Sequence, residues 1–307
     1  MPRSFPEMLI LTSCSSTKRF PAPPPLRASS VGARSLDGFA REWVSRVREA
    51  GRPYSAASLY GGLAVASARS AGERLGAPLH FVSAGMSIVS PGSRIPSYDL
   101  TLSGSAAIPT PIRTGGATSS AWWASLNQAF ERHQPMAALV RRHADLALVA
   151  LPATYLKMVE PELLSLGQAQ IKKLRIVMAE NPELAPALEA QVVRYDQRFQ
   201  TTPGAPRGAL ASFVQRALSH FSDLLADNPR IRSIGSQRRL VEAALSHSVE
   251  VAKALGAVQT DEQVMAWVAR VDPQCALSRS TLLSRFRGHG RACEHGRFFS
   301  IVDRLRA

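Results

Sequence analysis

The chain has 307 residues, a formal charge of +14 at neutral pH and a sequence pI near 10.7. That length allows one large domain or two ordinary ones. The apolar content argues against wholesale disorder, and no apolar run approaches the ~18 residues of a membrane span. The charge excess favours a polyanionic partner, nucleic acid ahead of a membrane surface, although an Arg- and Ala-rich composition from a GC-biased genome reaches the same sum.

Three widely spaced cysteines, Cys14, Cys275 and Cys293, make no disulfide framework and point to a reducing cytoplasm. The first apolar run, Met8 to Leu11, is too short for a secretory signal and reads as a strand. It exits into Ser13-Cys14-Ser15-Ser16-Thr17-Lys18, small hydroxylic residues with a cation that could wrap an anion; the glycines of a P-loop are absent. Phe20 to Leu26 holds four prolines and predicts an extended tether or lid, not a helix. Apolar spacing predicts helices over 36–50 and 63–75, joined through a small-residue linker from Tyr54 to Gly62.

Leu79 to Val82 reads as a buried strand that breaks into Ser83-Ala84-Gly85-Met86-Ser87 and runs on to Arg94 and Pro96-Ser97-Tyr98-Asp99. Polar loops just past the ends of parallel strands are where open α/β sheets place ligands, so Asp99 and Tyr98 are candidate catalytic residues. A cap or a local turn is the structural alternative for Asp99. Residues 103–120 predict a long cover or a disordered loop. Helices follow over 121–130, 136–143 and 153–166, alternating with strands over 146–151 and 174–179; an extended piece at 191–199 could close the sheet. Trp122 and Trp123 are adjacent on a helix, so one of them is expected to be an exposed contact or a lid. The fold class is therefore α/β, a mainly parallel sheet flanked by helices.

Thr201 to Gly208 is the expected boundary, giving an α/β catalytic domain over 1–203 and an all-helical module over 204–307. Within that module, 261–271 and 278–286 have helix-turn-helix character, with Leu282, Leu283 and Phe286 inward. From Ser278 onward seven arginines face only Glu294 and Asp303, so Arg279, Arg285, Arg287 and Arg291 are candidate DNA contacts. A solvated basic face is the alternative. Cys275, His289, Cys293 and His295 have no zinc-finger spacing, and no metal is expected.

The N-terminal third, Ser13-Cys14-x-x-x-Lys18, Ser83-Ala84-Gly85, Ser90-Pro91 and Pro96-x-Tyr98-Asp99-x-Thr101-Leu102, resembles a family of bacterial proteins related to YaaA. The chain departs from that pattern at Ser15, where glycine is usual, and at Met86 to Val89, where Lys or His precedes Gly-Leu-Leu. The resemblance implies a uracil-DNA-glycosylase-like fold and, through the Brig antiphage DNA glycosylases, removal of glucosylated hydroxymethylcytosine from phage DNA to leave abasic sites. On that reading Asp99 stabilises an oxocarbenium-like transition state or activates water. Tyr98 and Tyr60, with Tyr54 and Phe81, offer faces for an extruded base. Ser13, Cys14, Ser15, Lys18, Ser83, Gly85, Ser87 and Arg94 are candidate substrate contacts. Double-stranded DNA is the expected partner, and no cofactor or membrane is invoked. Two alternatives stay open: a DNA-binding or stress-response protein with a ligand-sensing cleft, and a transferase acting on free nucleosides or nucleotides.

Overall fold

The computed structural model describes residues 7–15, 17–32, 35–102, 118–142, 145–179, 183–248 and 256–306. It divides into two compact units, Met1–Glu250 and Val251–Ala307.

The first unit is α/β. Its sheet has the order β4-β3-β1-β6-β7-β8, with β1 (Met8–Ser13) at the centre between β3 (Leu79–Ser83) and β6 (Leu146–Ala150). β7 (Leu174–Met178) and β8 (Val192–Arg194) extend it in parallel, while β4 (Ser87–Val89) turns back antiparallel on β3. β1, β6 and β7 are buried along their whole length, as parallel strands covered on both faces must be. Helix α1 (Leu36–Glu49) begins at a Ser35 cap and ends before Gly51. The single helical turn α2 (Ala56–Leu59) leads to α3 (Leu63–Leu75), which Gly76 stops in a left-handed conformation, φ 61°. α4 (Ser119–Ala129), α5 (Pro135–Arg142) and α6 (Ala153–Leu164) follow in the chain. After the short α7 (Gln168–Ile171) and α8 (Pro186–Glu189) come α9 (Phe213–Asp227) and α10 (Ile234–Leu245). α9 packs along α3 and against β6 and β7; α1, α4 and α6 form a second packed row.

Five strands expected from the sequence are present, and the α/β class holds. Five details differ. In the module expected to be all-helical, Ala257–Val258 and Arg291–Ala292 pair as two short parallel strands. Tyr54–Ser55 forms a small strand, β2, antiparallel to β5 (Arg94–Ile95) where a linker was expected. Pro24–Leu26 makes one 3-10 turn, because proline is tolerated in a first turn that needs no N–H donor. Trp122 and Trp123 are both buried, since α4 lies between α1 and α6 and each indole meets a different neighbour. The Thr201–Gly208 stretch lies within the first unit, because α9 buries an apolar face on α3. The loop expected over 103–120 lies, over 103–117, outside the described residues, as do residues 249–255.

The second unit has its own small core of Val264, Trp267, Leu282, Leu283, Phe286, Phe298, Ile301 and Val302. They come from α11 (Asp261–Val271), α12 (Arg279–Gly288) and α13 (His295–Arg306). Trp267 meets Phe286 edge-on at 5.1 Å, joining α11 to α12. Asp272 holds the intervening turn by accepting from the Ala276 and Leu277 N–H groups and pairing with Arg306. Among the described residues no helix is long and apolar enough to cross a membrane.

Candidate functional site

A pocket of about 570 Å³ lies against α4 and α6, lined by Trp123, Met158 and Glu162. Its buried carboxylate is fully engaged. Glu162 accepts from Trp123 Nε1 at 2.5 Å and from the Met136 and Ala137 N–H groups at 2.6 and 2.9 Å, capping α5.

A second pocket, about 560 Å³, opens at the C-terminal edge of the sheet. It is lined by Ser13, Cys14 and Ser15 after β1, Pro152 and Tyr155 after β6, and Asp99 and Thr101 beyond β5. Gly61 to Ala64 at the start of α3, and Ala209, Ala211, Ser212 and Gln215 around the start of α9, complete the wall. Asp99 is the one carboxylate among these lining residues. It is exposed, and its side chain makes no hydrogen bond to another described residue. Its backbone is fixed: the Asp99 N–H donates to Leu26 O at 2.7 Å and Asp99 O accepts from the Ala28 N–H at 2.8 Å. Ser97 Oγ also donates to Phe20 O at 2.6 Å. The proline-rich stretch thus serves as a rail that presents residues 97–99.

Beneath the rim lies a layer of buried hydroxyls. Tyr98 Oη is 2.7 Å from Tyr60 Oη and 2.6 Å from Ser83 Oγ. Ser83 Oγ accepts from the Gly85 and Met86 N–H groups at 3.2 and 3.1 Å. Trp43 and Trp122 donate to the carbonyls of Gly85 and Ala84 at 2.7 and 2.9 Å, so two indoles tie down this turn. Gly85 is required there, since a Cβ would lie 2.7 Å from the Tyr98 ring. Burial pushes the Tyr60, Tyr98 and Tyr155 phenols well up, with the neighbouring Cys14 reinforcing the shift. They therefore remain neutral donors at physiological pH. Cys14 Sγ lies 3.7 Å from Tyr155 Oη. Lys18 Nζ stands 4.2 Å above the Tyr98 ring; burial lowers its pKa, opposed by Cys14 and Asp99.

The structure therefore brings Ser13, Cys14, Ser15 and Asp99 to one pocket, with Lys18 beside Asp99 and Cys14. Other expected site residues take different roles. Tyr60 and Tyr98 are 0 % and 1 % exposed and Phe81 is 0 %, so none offers an open face for a base. Tyr54 stacks on Phe20 at 4.0 Å. Ser83, Gly85 and Ser87 are buried below the pocket, Ser87 bonding to Asn127 with a left-handed φ of 60°. Arg94 is held at β2 by the carbonyls of Arg52 and Pro53 and does not line the pocket.

Most other wall residues were not singled out in the sequence, Tyr155 and Gln215 among them. Tyr155 follows the β6 exit, where the strand-end rule applied to residues 79–99 would have found it. Gln215 was assigned to a separate helical module, and no local signal marks it.

In the second unit, Arg279 pairs with Asp303 at 2.6 Å and lies over Phe299. Arg287 and Arg291 bond to Cys293 O and Gln259 Oε1. Arg285 is exposed and its side chain has no partner among the described residues. Comparison with known protein families, curated proteins and solved structures finds no match to this chain.

Proposed function

We propose that the first unit cleaves an N-glycosidic bond, as a DNA glycosylase acting on a modified base such as the glucosylated hydroxymethylcytosine of phage DNA. The observation that carries this reading is Asp99: a carboxylate with no side-chain hydrogen bond among the described residues, beside a cation, in a pocket at the C-terminal edge of a mainly parallel sheet. A carboxylate so placed stabilises positive charge developing on the sugar or takes a proton from water. The neutral phenol–serine layer beneath fixes the pocket floor, a positioning role. The basic second unit, in which the Arg285 side chain has no partner among the described residues, supplies phosphate contacts to a polymeric substrate.

A transferase acting on free nucleosides or nucleotides is the second reading, favoured by one fact: every lining residue of the pocket belongs to the first unit. Incubation of the full chain with modified phage DNA, followed by alkali, separates the two. Strand scission confined to modified DNA supports the glycosylase; turnover of free nucleosides with no scission overturns it in favour of the transferase.

A further inference from the structure

Helix N-termini leave backbone N–H groups without intrahelical partners, and side chains normally satisfy them. Among the described helices of eight residues or more, most follow that rule. Ser35, Thr118, Ser233, Thr260 and Ser278 cap α1, α4, α10, α11 and α12. Glu162 serves α5, and Glu294 serves α13 by accepting from the Gly296 and Arg297 N–H groups. Three helices have no side-chain cap and no acid in the first turn: α3 after Gly62, α6 after Pro152, and α9 with the 3-10 turn Leu210–Ser212 that leads into it after Ala209. The first turns of all three line the 560 Å³ pocket.

A second observation points to an occupant. Gln215 lines the same pocket, is 2 % exposed, and its Oε1 has no hydrogen-bond partner among the described residues. Its Nε2 faces Ser13 Oγ at 3.1 Å and the Ala150 carbonyl at 3.5 Å, which orients the amide and leaves Oε1 buried without a partner.

We propose that this pocket binds a nucleotide through its phosphate, which takes the N–H groups of Leu63 and Ala64 at the start of α3 and of Ala211 in the turn into α9, with the α6 terminus adding its dipole, while Gln215 Oε1 accepts a donor from the sugar or base. Converging N-termini offer both aligned N–H donors and positive helix-dipole ends to an anion. The glycosylase reading enters only in taking this pocket as the substrate site.

Calorimetric titration of the full chain tests the inference, with each of the four deoxynucleoside monophosphates against its nucleoside, and with dinucleotides carrying one internal phosphodiester. At least one phosphorylated probe is expected to bind ten times or more tighter than its nucleoside, with inorganic phosphate competing. Preference for the monophosphate identifies a free nucleotide as the source; preference for the dinucleotide identifies the polymer backbone. Ala64→Asp and Ala211→Asp put a carboxylate at the starts of α3 and α9. Each is expected to weaken that binding at least tenfold while leaving the melting temperature unchanged or raised, since an acid there favours the helix dipole. Equal binding of phosphorylated and unphosphorylated probes, or full affinity in both variants, would overturn the proposal. Nucleotide binding without base release from DNA keeps this inference and removes the glycosylase; base release at the wild-type rate in both variants does the reverse.

Discussion

Two pockets of nearly equal volume differ in what their polar groups have left to do. Under α4 and α6, Glu162 is buried and accepts from one indole and two backbone N–H groups. At the sheet edge, the Asp99 side chain makes no hydrogen bond to a described residue, Gln215 Oε1 has no partner among the described residues, and three helix starts carry no side-chain cap. A buried carboxylate with all its bonds made is a structural part, and removing it exposes the cost of the groups it served. Unsatisfied polar groups at a strand exit are what the proposed ligand would satisfy. Volume does not separate the two pockets; satisfaction of polar groups does.

Glu162→Gln should show the largest structural effect, because an amide cannot accept at both positions. About 2–3 kcal/mol of stability should be lost, read as a fall in denaturation midpoint. Gly85→Ala forces the Tyr98 ring off the turn, from a contact that a Cβ would close to 2.7 Å. About 1–3 kcal/mol is expected from such overpacking, with a loss of base release that tracks displacement of the hydroxyl layer. A midpoint equal to wild type would show that the turn yields freely.

His220 provides a pH test of the satisfied side. It is buried beside Tyr195 Oη at 3.0 Å, and burial lowers its pKa from 6.5 against the pull of Asp223. The unfolded chain therefore takes the proton first as pH falls. Stability should drop as pH falls from 6.5 through the lowered folded value, and level off below it. His220→Gln should remove this part of the acid loss in a pH series of melting temperatures. The smallest effect belongs to the second unit: Arg285→Ala should reduce the slope of log affinity for DNA against log salt by about one. Arg279→Ala should change it less, because Arg279 is already paired with Asp303.

The strands were legible in the sequence because β1, β3, β6 and β7 are short apolar runs bounded by turn formers. The longer helices were legible from their apolar spacing. β4 was not, since Ser87–Val89 depends on pairing with β3 rather than on a run of its own. The placement of α9 was hidden because an amphipathic helix does not state which surface it covers, and Gln215 was hidden with it. Asp99 was found by the strand-exit rule. Its neighbours Tyr60 and Tyr98 were expected to stack on a base; both are buried, and their hydroxyls bond to each other instead. Trp122 and Trp123 show the same limit: spacing gives directions around a helix, and only packing says how many sides are covered.

The central claim is that chemistry resides where polarity is open. Single-turnover release of free base from modified DNA, measured side by side for Asp99→Asn and Glu162→Gln, tests it most directly. Asp99→Asn should lower the rate by about 100-fold or more at an unchanged melting temperature. Glu162→Gln should lower the melting temperature and leave the rate per folded molecule intact. Undiminished release by Asp99→Asn, or a rate collapse confined to Glu162→Gln, would contradict the account.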